Sequence, residues 1–436
     1  MNTSRIDALR GSRHAPSIRA RDAMARRSPA IAARLKSTGV SQAEKLNGLW
    51  RPDRPTYSAC GPVHLCLLQG QHATGLSERL ERAHALDEQT KTGILHAGIA
   101  APSADNSQPW QFAWSGDDLD LRIDGERSGH VSDTRHVLSD LAAGACLENM
   151  IVRGRSMGYS AELQVFPRQE DELWVARVHW RRDPECDVSE PLAAAIDERH
   201  TDRRFPWRGP ITPDVQTRLA AQAGQPPGPR LWWPRTPHER NAALDIIRQA
   251  EALRFRSTTL HAELFSSIRF STGWRDTCAE GLAPSTLAVE APMRPIFQAM
   301  RRPALMAMFN RLGAASVLGL RSAWLPIRLS PGLCLLVIPS TTRSDVVAGG
   351  RALERVWLQA TRDGLSVQPY AAAGVLGLGF VRIEPAFQPT LSQMRSALAN
   401  LCGAGHGLVF LRLGFAKLPS RHRSGRRELA SFGAFH

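Results

Sequence analysis

The chain has 436 residues, more than one hydrophobic core usually supports, so two domains or a duplicated unit are expected. With 43% hydrophobic and 22% charged residues it reads as a soluble globular protein, and no apolar run reaches the length needed to span a membrane. The formal charge of +14 is uneven, since residues 1–60 carry 12 Lys/Arg against 4 Asp/Glu. That part lacks both apolar periodicity and a secretory apolar core, so 1–75 reads as a basic, disordered leader. Zinc-finger spacing and RNA-recognition signatures are absent, and neither nucleic acid nor membrane is expected as a partner. The seven cysteines form no C-x-x-C pair, which points to a reducing, cytoplasmic setting and to no metal site.

Structure is expected to begin near Leu76. Residues 86–100 read as a helix. Residues 110–114 and 119–123 alternate as a hairpin around Gly116. A long helix covers 139–158, with Ser139 as cap and Gly158 just past its end. Residues 161–166 and 173–180 read as a second hairpin, in which Trp174, Ala176, Val178 and Trp180 share one face. Helices are expected after Pro191, from Thr212 with Pro213 at its first position, and over 237–256 and 258–270. Residues 272–330 are rich in Gly, Pro and Arg and read as a lid or insertion. Residues 333–338 form a buried strand, 346–363 an amphipathic helix closed by Gly364, and 365–369 and 407–413 further strands.

The stretch from Ala100 to Trp110, Ala-Ala-Pro-Ser-Ala-Asp-Asn-Ser-Gln-Pro-Trp, is the densest signal. Pro102 ends the preceding helix, and Ser103, Asn106 and Gln108 supply groups that both donate and accept hydrogen bonds. On residue types alone this is a capped helix end or a loop suited to the polar edge of a planar heterocycle. The loop resembles the Ala-Pro-Ser-x-x-Asn-x-Gln-Pro-Trp motif of the nitroreductase family of flavin enzymes. The resemblance continues at Arg199-His-Thr-Asp-Arg-Arg-Phe205, similar to the family's phosphate-gripping Arg-rich segment, then at the 346–369 helix and strand. It ends at Leu411-Arg-Leu-Gly-Phe415 with Arg426 and Arg427. Because the Arg-rich segment follows the loop, the chain resembles the internally duplicated members, whose single chain imitates a homodimer.

This resemblance implies an α+β, nitroreductase-like fold, with a mostly antiparallel sheet flanked by helices. The implied halves are 76–196 and 197–436, in a monomer with an internal pseudo-dimer or in a homodimer. It implies FMN held by Ser103, Asn106, Gln108, Pro109, Arg199, Thr201, Arg203, Arg204, Gly414, Arg426 and Arg427. Arginine forks suit a phosphate monoester. The implied activity passes electrons from NADH or NADPH through FMN to a nitro compound or quinone, with no protein nucleophile. The alternatives are a protein that sequesters flavin and a pathway-specific flavin oxidase or dehydrogenase on the same fold. Two polar pairs read more simply as separate side chains: His261 with Glu263, two apart on a helix, and His130 with Asp133 in a loop.

Overall fold

In this computed structural model, the described residues are 86–433 apart from His130, Asp187, Pro419 and Arg421. The 1–75 leader, the start at Leu76 and His130 lie outside them. In chain order come α1 (Glu88–Ile99), β1 (Trp110–Ser115), β2 (Asp118–Ile123), α2 (Val137–Ser156), β3 (Tyr159–Val165) and β4 (Trp174–Arg182). Then follow α3 (Pro213–Ala223), β5 (Arg230–Trp232), α4 (Pro237–Arg256), α5 (Thr258–Ser267) and α6 (Pro303–Arg311). The last elements are β6 (Gly332–Ile338), α7 (Arg343–Arg362), β7 (Ser366–Tyr370), α8 (Ala372–Leu378), α9 (Gln388–Cys402) and β8 (His406–Gly414).

The strands form two four-stranded sheets, ordered β1-β2-β4-β3 and β5-β6-β8-β7, and every neighbouring pair is antiparallel. The second order is the first with each strand advanced by four, so the two halves repeat one plan. Strand β1 buries Trp110, Phe112 and Trp114 and exposes the residues between them, as a strand with one covered face must. Strand β6 is buried throughout, because helices cover both of its faces. The halves differ in what joins their strands. β1 and β2 meet through Gly116 and Asp117, whereas α4, α5 and α6 separate β5 from β6.

The halves meet along α2 and α7, helices of 20 residues each. Gly144 stands at the eighth position of α2 and Gly350 at the eighth of α7. A Cβ on Gly144 would lie 2.1 Å from the Val347 carbonyl oxygen, and one on Gly350 would lie 2.1 Å from that of Leu141. Only a residue without a side chain lets the two backbones approach this closely. Ion pairs flank the contact. Arg343 holds Asp140 at 2.7 Å, and Arg351 and Arg355 both hold Glu148 at 2.8 Å. Buried on nearly every side, α2 shows little amphipathic stripe.

Local departures from the sequence reading have simple causes. The N-cap of α2 is His136, in the left-handed region, and the orphan amides of Leu138 and Ser139 are taken by the Asp133 carboxylate, so Ser139 lies inside the helix. The 272–330 segment is largely helical: α6 starts on Pro303, and short turns surround it, including Arg294–Ala299 and the run Ala314–Arg328. After β8 the chain crosses to the first sheet, where Phe432 packs against Trp110 and Phe112.

Candidate functional site

The loop after α1 is built from residues in an uncommon conformation. Asp105, Asn106 and Gln108 all have positive φ, at 50°, 57° and 51°. Non-glycine residues hold this region only where their surroundings demand it. Here the surroundings are explicit. The Gln108 amide donates to Ser103 Oγ at 2.9 Å. Gln108 Nε2 donates to the Ala279 carbonyl at 2.8 Å, and its Oε1 accepts from the Arg427 amide at 3.0 Å. Asn106 Nδ2 donates to the carbonyls of Ala279 and Gly425 at 3.3 and 3.2 Å, and its Oδ1 accepts from Arg426 Nη1 at 3.1 Å.

Four residues expected to touch the flavin therefore tie the protein to itself in this structure. Gln108 is fully buried with its amide engaged on protein groups, and the Asn106 side chain is likewise taken up. Arg426 donates to the carbonyls of Ile99, Ala100 and Ala101, each within 2.9 Å. This satisfies the carbonyls left open at the end of α1 with the sign of charge that a helix C-terminus favours. Arg427 donates to the Gln108 carbonyl at 2.9 Å and stacks on Phe432. Together these contacts knot the loop, the 278–281 segment and the C-terminal tail.

The knot presents Ser103 and Asp105 to two adjoining cavities. The larger, of ≈ 370 Å³, is roofed by the end of α4 and the segment after it, through Phe255, Leu264, Leu282, Phe297 and Met300. The smaller, of ≈ 210 Å³, is cationic, with Arg199, His200, Arg203, Arg423 and Arg426 in its wall. Ser103, Asp105, Thr201 and Arg203 line both. Thr201 and Arg203 reach this wall because Thr201 pairs with Val367 of the edge strand β7. Beneath them Arg412 of β8, fully buried, stacks on Trp207 and donates to the carbonyls of Asp202 and Arg204 at 3.2 and 2.7 Å. Burial pulls its pKa down to about 10.

The arginines differ in how much of their charge is committed. Arg203 donates from Nη1 to the Thr286 carbonyl at 3.2 Å. Burial lowers its pKa, and nearby Asp105 and Tyr370 oppose the shift. Such a desolvated cation gains from an anionic ligand. Arg199 pairs with Glu354 at 3.0 Å, donates to the Ala100 carbonyl at 2.6 Å and stacks on Trp357. Burial lowers the Arg199 pKa and pushes Glu354 up to about 7.

The remaining expected site residues stand apart from the cavities. Arg204 pairs with Asp202 at 2.7 Å. Gly414 is a packing point, where a Cβ would lie 2.8 Å from that of Trp207. Pro109 is buried and offers its carbonyl to the Asp124 amide at 3.1 Å. Asp105, Glu251, Arg254, Glu263 and Arg321 were not anticipated, although all five line the larger cavity. His261 and Glu263 part company as expected: His261 is bonded to the Met300 carbonyl, while Glu263 faces the cavity. Among the described residues no group of His, Cys, Asp and Glu has the makings of a metal site.

No family model matches the chain. An uncharacterized protein of Mycobacterium tuberculosis is 24% identical over 347 residues, covering 78% of this chain and 47% of that protein. Two further M. tuberculosis proteins carry the name "Putative NAD(P)H nitroreductase". One is 29% identical over 144 residues, covering 33% of this chain and 41% of its own. The other is 29% identical over 227 residues, covering 47% and 61%. The chain thus spans about half the length of the curated relatives it matches. Among solved structures, a Bacteroides fragilis nitroreductase with bound FMN aligns with 55% of this chain and 96% of its own, at 11% identity and a TM-score of 0.32. An FMN-dependent nitroreductase of Mycobacterium smegmatis in complex with NADPH aligns with 57% and 100%, at 13% identity and 0.32.

Proposed function

We infer that this chain, a member of the nitroreductase family by its mycobacterial relatives, binds one FMN where its two halves meet and acts as an FMN-dependent oxidoreductase. One observation carries the reading. The Ser103–Asp105 loop and the Thr201–Arg203 segment are about 100 residues apart in sequence, yet they line the same two cavities. The chemistry of those cavities fits the cofactor. The cationic one suits a phosphate, and the apolar one lies within the size range of small-molecule sites and suits a planar ring.

Arg203 and Arg423 would hold the phosphate, with the Thr201 hydroxyl beside them. Ser103 and Asp105 would meet the polar parts of the ligand, and Asn106, Gln108 and Arg426 would fix that loop from behind. When bound, FMN supplies the electron transfer, and the protein supplies position, charge and exclusion of water. The relatives' names support NADH or NADPH as donor and a nitro compound as acceptor, and we extend the acceptor class to quinones, which are electron-poor in the same way. The mostly apolar roof favours acceptors with an apolar body. The same roof favours the second reading, a protein that binds flavin and shields it from turnover.

Anaerobic mixing of the flavin-loaded protein with NADPH or NADH separates the two. Bleaching of the flavin absorbance, reversed by a nitroaromatic or a quinone, is the expected result. A flavin that stays oxidised speaks for sequestration. A protein that takes up no FMN overturns both.

A further inference from the structure

The outer surface of the roof has a chemistry of its own. Residues 291–330 contain six arginines and no acidic residue, a charge of +6 in 40 residues. Ten large hydrophobic side chains stand exposed among the described residues, and seven of them lie in this one segment: Met293 and Ile296, which also line the larger cavity, and Met308, Leu312, Val317, Leu320 and Leu329. Single exposed hydrophobics need no explanation, but a concentration of this kind marks an interaction surface.

The projecting part is the bend at Gly313, where α6 and the run Ala314–Arg328 turn by 92°. Leu312 at the bend is 82% exposed and Val317 beyond it 63%. On α6, Ala304, Met308 and Arg311 share the exposed face, while Met306 turns inward to the core. Arg301 and Arg302 are exposed just before α6, at its far end, and Arg311 is exposed at its last position beside the bend. Arg301 also lies over the Phe270 ring, while Arg321 pairs with Glu290 and Arg294 stacks on Trp274. No single helix among the described residues is long and apolar enough to cross a membrane.

We propose that this face docks reversibly on the surface of an anionic lipid bilayer, with Met308, Leu312 and Val317 entering the headgroup boundary and Arg301, Arg302 and Arg311 meeting the lipid phosphates. An exposed apolar face with arginine at either end, in a segment that contains no acidic residue, is the complement of such a surface. A second copy of the chain fits less well. In a two-fold contact the same patch meets itself, which would set the exposed arginines of both copies against one another without an intervening acid. The docking does not depend on flavin binding, so it stands or falls separately from the proposed activity.

The test is flotation of the full chain with vesicles of phosphatidylcholine alone and of phosphatidylcholine with about one-third phosphatidylglycerol. Binding to the anionic vesicles only, weakened at high salt, is expected. Leu312→Glu with Val317→Glu should reduce it by at least tenfold, and Arg301→Glu with Arg302→Glu by about 25-fold, at roughly fivefold for each lost arginine. All four positions are exposed, and unchanged thermal melting will show that the variants remain folded. The proposal is overturned if the wild type stays with the lipid-free fraction, or if the Glu variants float as well as it does. It is also overturned if sedimentation shows a dimer that Leu312→Glu with Val317→Glu converts to monomer, since the patch would then belong to a second copy.

Discussion

Two loops occupy the same place in the repeated plan and have opposite fates. One joins α1 to β1 and contains Pro-Ser-Ala-Asp-Asn-Ser-Gln-Pro. The other joins α3 to β5 and reads Gly224-Gln-Pro-Pro-Gly-Pro229. The first holds three non-glycine residues at positive φ and is knotted to two distant segments. The second is short and exposed at Gly224, Gln225, Pro226 and Pro227. A duplicated chain offers two such corners, and this one has invested its polar side chains in a single corner. The long insertion between β5 and β6 then roofs that corner. A repeated core with one elaborated site and one reduced counterpart is the lesson of the comparison.

The shared core should be the most sensitive part, and equally so from either half. Gly144→Ala and Gly350→Ala each place a Cβ 2.1 Å from a carbonyl oxygen of the opposite helix. Each should cost about 4 kcal/mol or more in urea unfolding, because relief requires the central helices to separate. Unequal costs would mean that the halves are not equivalent at their contact. The loops should then diverge. Gln108→Ala removes two bonds of a buried amide, to the Ala279 carbonyl (which keeps Asn106 Nδ2) and from the half-buried Arg427 amide, and should cost about 1–2 kcal/mol. Gln225→Ala, in the exposed counterpart, should stay within about 0.5 kcal/mol.

Ligand binding sharpens the same contrast. Arg203→Ala should weaken FMN by about 10- to 100-fold, the worth of a charge-assisted contact, while leaving thermal stability nearly unchanged. Titration of the wild type should saturate at one FMN per chain. A stoichiometry of two would show that the Gly224–Pro229 corner also binds.

Much of this plan was open to a reader of the sequence, because it rests on local patterns. The alternation of Trp110, Phe112 and Trp114 gave the first strand, and Thr212 before Pro213 gave the start of α3. Prolines misled in the 272–330 segment, where they suggest irregular chain. Pro295 and Pro303 instead occupy the first turns of helices, where the missing N–H costs nothing. The sequence marked the 103–108 loop but not the partners that hold it. Asn106 and Gln108 bond to carbonyls and amides from 171 to 319 residues away, and no local pattern reports such partners. Arg412 did leave a trace, as the one arginine in the run Leu408–Gly414, where its neighbours are apolar or glycine.

The finest difference between the halves is carried by two glutamates at the same helical position, Glu148 on α2 and Glu354 on α7. Both are buried. Glu148 is gripped by Arg351 and Arg355, which are themselves partly in water. Glu354 pairs with Arg199, closed off from solvent, and although Asn149 and Arg426 also favour its charged form, burial raises its pKa to about 7. A carboxyl whose folded pKa is raised holds its proton longer in the folded state than in the unfolded one. Between the ordinary value near 4.5 and about 7 the folded chain therefore binds more protons, and stability falls as pH rises through that window, then levels off. Glu354→Gln should remove this slope from urea midpoints measured at pH 5, 6, 7 and 8, and should leave the pH 5 value nearly unchanged. Glu148→Gln should leave the slope in place. A slope that survives Glu354→Gln would assign it to another buried acid, and Asp140, raised to about 6 by burial on the opposite helix, is the next to replace.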